Sequence, residues 1–511
     1  STGSNNVAVG SQAGVNLSTS SGNVVMGFEA LNTATTASDY NVAIGYQAMQ
    51  GGHTTADVDG CVIIGANAVS VGSLAAGAAN TVAIGKQALN ALTSGTQNVA
   101  IGYQAADGLT TGAYNTVLGY DAFGNATTQA DHNVAVGRGA MSGAIVAEDL
   151  NFCVAIGDLT MSGALDAAAS GAVAVGKGAL AALTSGAQNT AVGYLALATM
   201  TTGDGNTAIG YEAADAFGND EQYNTVVGMG AMGAMDEGTG GSDVDSNVAI
   251  GYDALRGADC QSVDVQIGGN IAIGNSALCS TSTNGQVGTI AIGHQALTTL
   301  TTGAGNTAVG YEALKTAADS DKNTAVGYQA CLYVETGSDR NVGIGYEACQ
   351  GSSDTFTGSQ NVCIGYRTGF ELDTGSNNVL IGDSAGDSIG AGSSMVFIGS
   401  DAGAAVLDST NPNGSVGVGQ AALKALTTGY RNLAIGYEAL EDLTQGDDNI
   451  AIGYRALNGA SSSDGVDGNV AIGNYALDAV STNVAANNTA VGYNALTGVT
   501  SGDNNIGIGK N

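Results

Sequence analysis

A chain of 511 residues with 81 Gly, one Pro, no Trp and only 11% charged residues departs from ordinary globular domains, in which about 25% of residues are charged. Its 45 acidic against 12 basic side chains leave a net charge of −33, which excludes a nucleic-acid footprint and argues against an anionic membrane surface. At 44% hydrophobic the chain is no disordered acidic tail, and no apolar run is long enough to insert into a membrane as a helix.

In chain order the predicted elements are copies of one unit. The core Asn-x-Ala-(Ile/Val)-Gly-Tyr-x-Ala-Leu recurs from Asn6 to Gly10 at one end to Asn505 to Gly509 at the other. Well-formed copies run Asn98 to Ala105, Asn206 to Ala213, Asn306 to Leu314 and Asn432 to Leu440. Anchored on the Gly there are 28 copies, most often 17 residues apart, with steps of up to 23 that carry inserted loops. We number positions from that Gly. Position −4 is Asn in 21 copies, position −1 is aliphatic or Met in all 28, and position +3 is Ala with two exceptions, Thr160 and Thr368.

A β-branched run bounded by Asn and Gly reads as a short strand with a turn at each end. Units this short cannot close a compact core alone, whereas stacked turns can. The predicted fold is therefore all-β: a parallel β-solenoid of about 28 turns of 17–23 residues, with 1–511 as a single continuous array. At about 4.8 Å per rung such an array is a rod of roughly 130 Å. The start at Ser1 without Met and the end inside a motif predict a mature or truncated piece of a longer chain. The segment after the Gly, such as Tyr437 to Leu443, reads equally as a strand or a helical turn.

Each column has a physical expectation. Asn98, Asn206, Asn306 and Asn432 predict amide ladders along the stack. Gly102, Gly210, Gly310 and Gly436 mark positive φ or a close backbone passage. Tyr follows the Gly in 13 copies, among them Tyr103, Tyr211, Tyr311 and Tyr437; the rings are expected to stack rung on rung or between protomers, the rival being a glycan platform.

The rhythm Asn41 to Gly45 with Ala48 resembles the head repeats of trimeric autotransporter adhesins. The longer Gly-Tyr-x-Ala-Leu…Thr-Thr-Gly…Asn-Thr-Ala-Val-Gly form is similar to repeats of phage and prophage tail fibres. The resemblance implies a left-handed β-roll, a homotrimer, intertwined or side by side, and Val/Ile strands facing the trimer axis. It implies a structural shaft mediating host attachment, located in the virion. Its partners would be other tail or surface proteins and a host glycan or protein receptor. The alternative is a trimeric adhesin head at a bacterial surface, extracellular, and a lower one is a glycan- or ice-binding solenoid. The step of 17 and the Tyr column depart from the adhesin heads.

Few residues suggest chemistry. Asp57 and Asp59, Asp243 and Asp245, and Asp464 and Asp467 lie in long insertions with Gly nearby, a pattern that suits Ca²⁺, although solvated loops are the simpler reading. Seven Cys occur without Cys-x-x-Cys spacing, so zinc is unsupported. Cys331 and Cys349 share position +4 of adjacent turns, close enough for a disulfide, although two stacked thiols filling Leu sites is the simpler reading. The three His share no motif role and no nucleophile elbow or phosphate loop occurs, so no enzymatic activity and no cofactor are expected. Receptor contact is expected on the insertions at 229–247, 256–268 and 459–468.

Overall fold

The structure is a computed structural model. It describes residues 3–33, 38–50, 58–71, 74–75, 78–125, 129–145, 149–235, 243–257, 266–280, 285–335, 337–352, 356–405, 413–459, 465–480 and 485–510. The chain divides into two compact units, Ser1–Val265 and Gln266–Asn511. Each is a parallel β-solenoid in which every repeat contributes one three-residue strand. The first unit contains fourteen such strands, from Val7–Val9 to Val248–Ile250, and the second fourteen, from Ile271–Ile273 to Ile506–Ile508. The second unit also contains a two-stranded ribbon, Ile267–Gly268 with Gln286–Val287. The helix among the described residues is a single 3-10 turn, Ala167–Ala169.

Equal spacing from the Gly sets the register. Val82, Ala83 and Ile84 pair with Val99, Ala100 and Ile101, and the same in-register pairing recurs from turn to turn. Strand alternation turns position −2 inward and positions −3 and −1 outward, and Ala83, Ala100 and their equivalents are fully buried. The core lies between this strand and the segment after the Gly, whose Ala88 and Leu89 are buried against it.

That segment is neither a strand nor a helical turn. Positions +2 and +4 both take left-handed φ, 54° at Gln47 and 55° at Met49, following Gly45 at 139°. Left-handed residues each cost about 1–2 kcal/mol, and here neighbouring turns supply compensating hydrogen bonds. The Gln104 amide donates to the Lys86 carbonyl of the preceding turn (3.0 Å), and the Leu89 amide donates to the Ala105 carbonyl of the following one (3.0 Å). The repeat Gly is required for two reasons. Gly102 has φ 146°, and a Cβ there would fall on the carbonyl oxygen of Gly119 one turn on.

Across the core, positions −2 and +4 share one volume. Where the strand centre grows to Leu380 and Phe397, position +4 shrinks to Gly386 and Gly403, whose missing side chains leave the space those residues fill. Where the strand centre is Gly343 or Gly507, Cys331 or Leu496 projects over it instead.

Candidate functional site

The side chains that recur do so in columns, and each column was built into hydrogen bonds, ring stacks or an outer face. The buried Asn of position −4 form ladders. The Asn115 amide and its Nδ2 both donate to Asn98 Oδ1, at 3.0 and 3.1 Å, while Asn98 Nδ2 donates to the Gly112 carbonyl at 2.8 Å. Asn206 Nδ2 reaches the Glu221 carbonyl at 2.6 Å, Asn306 Nδ2 that of Ser320 at 2.6 Å, and Asn432 Nδ2 that of Gly446 at 2.7 Å. Substitutes in the column keep part of this pattern. Cys61 Sγ donates to the Ala78 carbonyl at 3.4 Å and Cys153 Sγ to that of Ala169 at 3.4 Å. Burial pushes both thiols up to about 11, so neither is a ready nucleophile.

A second ladder, not anticipated from the sequence, runs at position −6. There Asp39 Oδ1 accepts the Ser21 amide at 2.6 Å, Asp59 Oδ1 accepts that of Asp39 at 2.7 Å, and Asp131 Oδ1 accepts that of Ala113 at 2.6 Å. Asp245 takes the Gln222 amide at 2.7 Å and Asp467 the Asp447 amide at 2.8 Å. Three of the carboxylates considered for Ca²⁺, Asp59, Asp245 and Asp467, therefore each spend one oxygen on the backbone. Burial raises the Asp245 pKa, with Asp243 and Asp220 adding to it against the lowering effect of the Gln222 amide. Asp243 is exposed; Asp57 and Asp464 lie outside the described residues. Among the described residues no group of three His, Cys, Asp or Glu side chains converges to hold a metal ion. The signal for this ladder was Asp, Ser or Asn recurring two residues before the ladder Asn.

The rings after the Gly stack face to face. Tyr103 lies on Tyr120 at 5.2 Å, Tyr194 on Tyr211 at 5.1 Å, and Tyr437 on Tyr454 at 5.5 Å. The longest run, His294–Tyr311–Tyr328–Tyr346–Tyr366, has successive centroids 5.1–5.3 Å apart. Rings inside a run, such as Tyr328, have a neighbouring ring on each face. Lys86 and Lys177 place ammonium groups 5.8 and 5.9 Å from the centroids of Tyr103 and Tyr194. Position −5 carries another stack, Tyr114–His132–Phe152, at 4.7 and 5.1 Å. His132 and His294 thus belong to aromatic columns, a role that their wide separation in sequence concealed.

Among the described residues one disulfide forms, joining Cys349 to Cys363 with Cα atoms 5.7 Å apart. The Cys331–Cys349 bridge weighed from the sequence does not form, and the reading of the two as stacked thiols holds for Cys331 alone. Position +4 projects across the core toward position −2 of the next turn, so Cys349 meets Cys363 while Cys331 meets Gly343. Cys331 remains a buried free thiol, pushed up to about 12 by burial.

Outside, positions −3 and −1 form two adjacent apolar columns in each unit. Met26, Ile209, Ile344 and Ile472 are 46, 41, 38 and 38% exposed. The expected contact segments 229–247, 256–268 and 459–468 include residues 236–242, 258–265 and 460–464, which lie outside the described residues. No family model matches the chain, and no curated protein matches it.

Proposed function

We propose that this chain is a structural shaft segment of a homotrimeric host-attachment fibre of the phage tail-fibre kind. The observation that carries this reading is the outward face of each unit's sheet. Its −3 and −1 columns are Val, Ile, Thr, Leu or Met turn after turn, and these side chains are half-buried or, as at Met26, Ile209 and Ile344, exposed in the single chain. Monomeric soluble proteins rarely leave contiguous apolar patches beyond a few hundred Å² uncovered. Copies of the same chain are the natural cover, because identical columns at identical spacing match one another turn for turn. In such a fibre the ladders supply stiffness, and three copies multiply weak receptor contacts through avidity. The chemistry is interfacial, with other tail proteins and a host surface glycan or protein as partners.

The test is native mass by light scattering, together with electrophoresis of an unheated sample in SDS. A mass near three times 49.9 kDa is expected; a monomer overturns the trimer. Ile209→Lys together with Ile344→Lys is expected to release monomers that keep the β-rich circular dichroism spectrum, because both side chains point away from the core.

A further inference from the structure

At Met229 the Tyr column is interrupted in a way that opens a hollow. Three successive turns carry Tyr211, Met229 and Tyr252 at position +1. In the middle turn, positions +2 and +5 are Gly230 and Gly233, where the turns on either side carry Glu212 and Asp215, and Asp253 and Arg256. The result is a notch of about 320 Å³ lined by these side chains. Glycine at +2 is not demanded by the backbone, since Glu212 and Asp253 adopt the same left-handed φ, 50° each. Elsewhere a Gly at +2 is covered by leucine from the next turn: Leu159 reaches over Gly139 and Leu195 over Gly178. Over Gly230 the next turn sends a carboxylate instead. Asp253 Oδ1 lies 2.6 Å from where a Gly230 Cβ would stand, and Asp215 Oδ1 lies 3.1 Å from that of Gly233.

The walls are aromatic. Tyr211 is stacked on Tyr194 on one side, which leaves its other face toward the Met229 level, and Tyr252 bounds the notch from the far side. The two rings stand two rungs, about 10 Å, apart, so a cation midway lies about 5 Å from each, inside the roughly 6 Å reach of a cation–π contact. The same column already accepts ammonium groups against its ring faces, those of Lys86 and Lys177. Three carboxylates face one guanidinium, that of Arg256, which sits at the rim 3.8 Å from Asp253 with its side chain 59% exposed.

We infer that this notch binds an organic ammonium group, seated between the Tyr211 and Tyr252 faces in place of the Met229 side chain and balanced by Glu212, Asp215 and Asp253. Met229 is unbranched and half exposed, so it can yield that space at little cost. The site goes beyond the fibre reading and stands whether the chain is trimeric or not.

The full chain is titrated by calorimetry with choline and with 3,3-dimethylbutan-1-ol, its uncharged equivalent in shape. Saturable choline binding is expected, with the alcohol weaker by about tenfold or more, in keeping with a desolvated cation–π contact. Met229→Tyr restores the column's ordinary residue and fills the level between the rings; Asp215→Asn removes a charge without removing volume. Each is expected to weaken choline about tenfold while the melting temperature stays equal or rises. The inference is overturned if the folded wild-type chain shows no saturable choline binding, if the alcohol binds equally well, or if Met229→Tyr folds and binds choline unchanged.

Discussion

Asn98 shows how much a single ladder residue controls. Its Oδ1 accepts both the backbone amide and the side-chain amide of Asn115, and its Nδ2 holds the Gly112 carbonyl, all in a buried strip. Asn98→Ala leaves backbone groups unpaired in the core at about 1–3 kcal/mol each, so a loss of about 3 kcal/mol is expected in urea unfolding. Asn98→Ser is expected to lose roughly half of that. Its model is Ser415, whose hydroxyl stands in the same column, accepting the Asn432 amide at 3.2 Å and donating to the Gly429 carbonyl at 3.4 Å. Equal losses for the two variants would mean that the amide acts by volume and not by hydrogen bonding. The Asn column was legible in the sequence because the same residue recurs at the same offset. The Asp column was not, because Asp, Ser and Asn share its acceptor role and no single letter repeats. Asp59 and Asp467 therefore read as solvated loop residues or Ca²⁺ ligands, whereas each holds a backbone amide of the preceding turn.

At the scale of one turn, the strand and the segment after the Gly are complementary halves of one core. Phe397 occupies the space that Gly403 leaves free. Phe397→Ala is expected to cost about 3–5 kcal/mol through the cavity left behind. Gly403→Leu is expected to destabilise as well, although Leu423 adopts a similar φ of 57° at the same position, because its side chain runs into the Phe397 ring. The double variant exchanges the two volumes and reproduces the Ala-plus-Leu arrangement of ordinary turns. It is expected to be more stable than the sum of the single losses by about 1–3 kcal/mol, read from a double-mutant cycle. Strict additivity would show that the two positions do not share a space. The strand of each turn was legible from its β-branched run. The following segment was not, because alternating left-handed residues such as Gln47 and Met49 follow neither the strand nor the helix period.

Over the whole molecule, charge is the dominant electrostatic fact. A net of −33 repels itself, and 0.1 M salt largely screens exposed charges more than about 10 Å apart, so the melting temperature is expected to rise with NaCl. CaCl₂ at matched ionic strength should add nothing if the carboxylates act only as backbone acceptors; a further rise that EDTA reverses would establish Ca²⁺ binding. Acidification should act in the same direction as salt. Burial raises the pKa of Asp107, Asp215, Asp245, Asp387, Glu441 and Asp478. Each then binds a proton more readily folded than unfolded, so stability grows as pH falls from neutral through the raised values and stops growing below the ordinary ones. A melting temperature that falls steadily from pH 7 to pH 5 would refute this.

Which residues lie above and below one another is written in the spacing of the chain. Near-constant spacing stacks like on like, so strands, the Asn column and the Tyr column follow from counting. Which residues face one another across the core depends on how the stacked turns fold over it. Cys349 and Cys363, 14 residues apart, belong to different columns and share no period. What brings them together is a turn whose left-handed backbone swings position +4 inward onto the next strand. That geometry is held by hydrogen bonds from neighbouring turns, and it exists only once those turns are stacked.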